Sequence, residues 1–132
     1  MARAVLREPK IYFYDSGFVK GDEGVRLENT CAVCLLKHVQ YLQDTAGEEI
    51  ELHYIRTRDG REIDFALSRQ GKIEQLIEIK LSEEVPTPSL RFFQKMLPEA
   101  AALLLVHNLR REQQRDGISI LPAGQWLSRL SA

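Results

Sequence analysis

An α/β domain, with a mixed sheet flanked by helices, is the fold class this sequence predicts. Three patterns carry the prediction. Apolar residues at 27, 31, 34, 35, 39 and 42 recur at helical spacing. Three strand-like runs between 50 and 81 are separated by turn signals. Beyond them, helical and apolar segments alternate, giving the order α-β-β-β-α-β with a C-terminal strand and helix.

The elements follow in chain order. "KIYFYDSGF" reads as a short aromatic strand or extended piece within an extended N-terminal segment, 1–24. The first helix is expected over 26–43. Strands at 50–57 and 61–68 flank Asp59-Gly60, a dipeptide that favours a tight hairpin because both central residues tolerate positive φ. A second turn in "SRQGK" leads to "IEQLIEIKL", completing a three-stranded meander. Pro86 and Pro88 stop the chain before a helix at about 88–97. "AALLLVHN" suits a buried strand, "GISILP" a further short one, and "AGQWLSRL" a terminal amphipathic helix in which Trp126 anchors the packing.

Composition limits the function classes. With 18 Lys+Arg against 19 Asp+Glu, no global basic field draws the chain onto nucleic acid, so any such surface is local. Two cysteines, Cys31 and Cys34, make no disulfide framework. The longest apolar run, "AAALLLV", is too short to span a bilayer, and the start lacks the apolar core of a signal peptide. A single domain over 1–132, cytoplasmic and without a membrane partner, is expected. Cys31, Cys34 and His38 share a helical face, but one helix supplies only part of a tetrahedral zinc site, and core packing is the expectation. His53 and His107 read as ordinary strand residues.

The chemistry gathers in two strands. In "REIDFAL", Ile63, Phe65 and Leu67 form the core set, and Asp64 faces the other way with Glu62 and Ala66. In "QLIEIKL", Ile77, Ile79 and Leu81 are the core set, opposite Leu76, Glu78 and Lys80. Adjacent strands would bring Asp64, Glu78 and Lys80 together on one side. Converging carboxylates repel, and a divalent cation between them relieves the repulsion. Hard oxygen donors suit Mg²⁺ or Mn²⁺ better than Zn²⁺. A neighbouring lysine can orient water or offset charge on a phosphoryl group.

These residues resemble a known superfamily. An acidic strand residue, then Glu-x-Lys on the next strand, with a glutamate on the first helix, looks like the PD-(D/E)XK nucleases. Closer still, "KIYFYDSGF", "RLEN", "HYIRTRDGREIDF" and "IEIK" together resemble domain of unknown function 4143 over roughly positions 10–108. That domain follows the ATPase module in many bacterial and archaeal AAA-type ATPases. The resemblance implies a restriction-endonuclease-like sheet and a Mg²⁺- or Mn²⁺-dependent nuclease domain. It implies metal ligation by Asp64 and Glu78, a catalytic Lys80 and an assisting acidic Glu28. The carbonyl of Ile79 would complete the metal site. Two departures stand out: Ile63 occupies the position of the superfamily's proline, and no G-x-x-x-x-G-K-[ST] phosphate loop occurs, so the ATPase module is missing and no ATP site is expected.

Arg56, Arg58 and Arg61 around the hairpin tip, with Lys72 in the next turn, are the expected phosphate contacts to nucleic acid, DNA in preference to RNA. Gln94 is the expected supporting residue. An AAA-type ATPase and a second copy of the chain, in a homodimer, are further expected partners. The alternative is a catalytically inactive interaction or regulatory domain of such an ATPase, with Glu78 and Lys80 as an internal ion pair.

Overall fold

The structure is a computed structural model and describes residues 4–7 and 23–130. The expected aromatic strand "KIYFYDSGF" lies outside the described residues. Within the expected extended segment, Ala4–Arg7 forms strand β1. Helix α1 runs Glu23–Ala46, three residues longer at each end than the apolar spacing marks. Strands β2 (Ile50–Thr57), β3 (Glu62–Arg69) and β4 (Lys72–Lys80) form the expected meander. Helix α2 (Pro88–Met96) leads to β5 (Ala101–Val106), and β6 (Gln113–Arg115), β7 (Ile118–Pro122) and α3 (Ala123–Ser128) close the chain.

All seven strands join one mixed sheet in the order β1-β2-β3-β4-β5-β7-β6. β4 is parallel to β5, and β5 to β7, while the other pairs are antiparallel. A parallel pair needs a crossover, which α2 supplies between β4 and β5. Strands β4 and β5 are therefore covered on both faces. This explains the unbroken burial of Ala102–Val106, where alternation would be expected of a half-wet strand.

The molecule has three layers. On one face α1 and α3 pack Cys31, Leu35 and Val39 against Phe65, Leu67, Ile77 and Leu105. On the other, α2 packs Leu90 and Phe93, both fully buried, against Ile63, Ala66, Leu76 and Leu104. Cys31 is a core residue, as its small apolar character suggests, and burial pushes its thiol up to about 12.

Turn chemistry sets the registers. Gln70 and Gly71 both take positive φ, 51° and 80°, in a two-residue turn that brings Arg69 opposite Lys72. The Asp59-Gly60 turn differs from expectation. Only Gly60 adopts positive φ, 91°, and the Thr57 backbone accepts from Gly60 and donates to the carbonyl of Arg61, so the loop holds three residues. Asp116 and Gly117, at 52° and 81°, turn β6 into β7. That short edge strand was not anticipated, although the Asp-Gly dipeptide between "QQR" and "ISI" signals it.

Candidate functional site

Strand β3 does not alternate as its sequence suggests. His53 pairs with Ala66, and Ile55 with Ile63, so two residues, Asp64 and Phe65, stand opposite the single Tyr54. This is a β-bulge, which re-aims side chains and strengthens local twist. Ile63 accordingly joins the α2 face and Phe65 the α1 face, contrary to the expected common core set. Tyr54 is buried, and that burial, with a hydrogen bond to Glu62, pushes its phenol up to about 12, so it stays protonated.

The bulge settles where Asp64 goes. Paired register between β3 and β4 ends at Phe65 opposite Ile77. Beyond that point the Asp64 carboxylate takes the backbone's place, Oδ2 accepting from the Ile79 N–H at 2.9 Å. Asp64 thus sits where two strands part, half-buried. Loss of solvent raises its pKa to about 6, partly countered by the Ile79 N–H, while Glu28 and Glu78 push it up further and Lys80 pulls it down.

Asp64 opens into a cleft of about 520 Å³ between the first turns of α1 and the end of β4. Glu28 and Val25 line the helix side, and Ile79, Lys80 and Glu83 the strand side. Helix periodicity places Glu28 one turn beyond Gly24, which also lines the cleft. Lys80 is half-buried and forms no ion pair with a described carboxylate. The backbone of Lys80 and Leu81 accepts from the N–H groups of His107 and Asn108, which fixes the cleft floor to the end of β5. The cleft lies at the carboxyl end of parallel β4, the end at which open α/β sheets bind ligands.

Residues 23–126 match the family described as "Domain of unknown function (DUF4143)". The chain belongs to that family. No curated protein and no solved structure gives a significant match.

In this DUF4143 domain Asp64, Glu28, Ile79 and Lys80 line one cleft, and Glu78 lies close enough to Asp64 for its charge to be felt there, although its own carboxylate is bonded elsewhere. Glu78 is 5% exposed and turned toward α2, where Oε1 accepts from the Thr87 N–H at 3.3 Å and Oε2 from the Thr87 hydroxyl. The Glu78–Lys80 ion pair of the alternative reading is not formed among the described residues, and Glu78 makes this strand-to-helix contact instead. Gln94 supports a different feature: its side chain lies against Gly117 in the β6–β7 turn. Lys72 begins β4 and Lys80 ends it, which puts them about 26 Å apart at the strand's rise per residue. The hairpin tip, by contrast, shares the cleft's end of the sheet. There Arg56 pairs with Glu62 at 3.7 Å, and Arg61 lies 3.9 Å from Asp59 and 4.0 Å from the Phe92 ring centre. Arg58 is exposed. His53 is bound to the Ser68 hydroxyl at 2.7 Å, away from the cleft.

The side chains lining the DUF4143 cleft include hard carboxylate oxygens. Among the described residues, no group of three or more His, Cys, Asp or Glu is arranged to hold a metal ion. Mg²⁺, however, takes one or two carboxylates and completes its shell with waters and substrate phosphates. Asp64 and Glu28 on one cleft fit that requirement, and the set contains no soft ligand for Zn²⁺. Sequence reading missed the bulge and the Thr87 contact. Thr87 between two prolines, just ahead of an amphipathic helix, was the available signal for the second.

Proposed function

We propose that this DUF4143 domain is a restriction-endonuclease-like hydrolase of nucleic-acid phosphodiesters, dependent on Mg²⁺ or Mn²⁺. The observation that carries the reading is Lys80, a half-buried lysine without an ion-pair partner among the described residues, lining one cleft with Asp64 and Glu28. A phosphate is the ligand such a cation lacks. Asp64, with the Ile79 carbonyl, would hold the divalent ion, which when bound polarises a phosphoryl oxygen and acidifies water. Lys80 pairs with the scissile phosphate and offsets charge that builds on it during attack. Glu28, from α1 across the cleft, accepts a hydrogen bond from the attacking water and orients it. DNA is the first substrate to try, and Arg58 is an exposed cation at the same end of the sheet as the cleft.

Glu78 favours a second reading. Because the acid of Glu-x-Lys is committed to Thr87, the scaffold would also suit an inactive interaction domain that serves an AAA-type ATPase. The test is cleavage of end-labelled duplex, single-stranded and junction DNA, and of RNA, in Mg²⁺, Mn²⁺ and EDTA. For wild type, metal-dependent cutting is expected, and Lys80→Ala should lower turnover at least a hundredfold with an unchanged melting temperature. Equal inertness of both proteins on every substrate would leave the interaction reading standing.

A further inference from the structure

From the placement of Glu78 we infer that it is a positioning residue, which braces α2 and the 81–87 loop through Thr87 and does not ligate the cation. This deepens the nuclease reading above and rests on it for the cation.

Thr87 links two structures at once. As N-cap of α2, its Oγ1 accepts from the Leu90 N–H at 3.2 Å, with Pro88 following as the first helical residue. The same hydroxyl donates to Glu78 Oε2, and the Thr87 N–H to Oε1. A threonine hydroxyl has one proton to give, and giving it to Glu78 leaves its lone pairs for the helix. The carboxylate therefore orients the cap. It also supplies negative charge near the positive end of α2, where the helix dipole favours it.

Geometry then ties the Glu78 carboxylate to Thr87, even though its charge is felt at Asp64. Glu78 and Lys80 alternate with Ile79 along β4, yet Lys80 lines the cleft and Glu78 does not. Swinging Glu78 into the cleft would strip the cap hydroxyl and the Thr87 N–H of their acceptor in a part-buried setting, where an unpaired donor is costly. What Glu78 does for the site is indirect. The 81–87 loop joins β4 to α2 and carries Leu81, Ser82 and Glu83 on the cleft wall, and its far end is tied down by the Glu78–Thr87 contact.

The test is thermal unfolding of the full chain in EDTA and in Mn²⁺, with Mn²⁺ binding read independently by paramagnetic resonance. The proteins are wild type, Glu78→Gln, Thr87→Val, Thr87→Ser, the Glu78→Gln/Thr87→Val double variant, and Asp64→Asn. Glu78→Gln and Thr87→Val should each lower the melting temperature in EDTA by several degrees, and the double variant by clearly less than the two losses added. Thr87→Ser should restore the wild-type value. Glu78→Gln should retain the Mn²⁺ increment and bind Mn²⁺ within about threefold of wild type, while Asp64→Asn loses the increment. Strict additivity of the two variants, or loss of Mn²⁺ binding in a Glu78→Gln protein of unchanged EDTA stability, would overturn the inference. A wild type that binds no Mn²⁺ would sink the metal-dependent reading instead, and the brace would then stand or fall by the coupling in EDTA alone.

Discussion

Asp64 holds its proton to about pH 6 in the folded chain, against 3.8 for the ordinary side chain. Between those values the folded state binds more protons than the unfolded state, so stability falls as pH rises and the loss is complete above about pH 6. In EDTA, Asp64→Asn should abolish this slope and make the protein more stable at pH 7.5, by up to about 3 kcal/mol for a shift of this size. Urea unfolding at pH 4.5 and 7.5 checks it, and a variant no more stable than wild type at the higher pH would refute the assignment. Cys31 makes a second prediction at this scale. A fully buried thiol pushed to about 12 offers almost no thiolate, so a thiol reagent at pH 8 should label Cys34 and spare Cys31 until denaturant is added. Rapid native labelling of both cysteines would show that α1 opens far more readily than its packing implies.

At the scale of elements, turns carry the argument. Gly71 has a φ of 80° and open space where a Cβ would stand. Gly71→Ala should therefore cost about 1 kcal/mol through backbone strain alone, and Gly71→Asn less, because asparagine tolerates the left-handed region. Equal denaturation midpoints for the two variants would mean that another factor governs the turn. The same physics explains what could be read in advance. Apolar spacing and the Gly-containing turns marked α1, the meander, α2, β5 and β7, because those signals are local. Asp64 and Lys80 on one cleft were legible too, since residue type and strand order bring them together, whereas Glu28 was legible only through the family resemblance. The β-bulge at Asp64 was not: the extra residue is defined by pairing with β2, and "REIDFAL" alone reads as perfect alternation. Nor was the partner of Glu78, because a buried carboxylate chooses among donors that only the crossover through α2 brings within reach.

Across the whole molecule, the sheet has an end that carries the cleft and a distant one. Antiparallel pairing places the start of β3 beside the end of β4, so the 58–60 hairpin loop, the cleft and the loop after β5 share one end. The Gln70-Gly71 turn and Lys72 occupy the other. Among the arginines of the hairpin, Arg56 and Arg61 are near acidic partners, and Arg58 is the exposed cation with no ion pair to a described carboxylate. Phosphate contacts release counterions, and removing one reduces the dependence of affinity on salt. Arg58→Glu should thus weaken binding of a short single-stranded oligonucleotide several-fold and flatten its salt slope, while Lys72→Glu, an identical change of charge about 26 Å from Lys80, should leave the slope unaltered. Because both variants shift the net charge equally, a general electrostatic effect would weaken binding alike in the two. Only a ligand that tracks the cleft end of the sheet separates them, and anisotropy titrations over a range of salt concentrations are the measurement that decides.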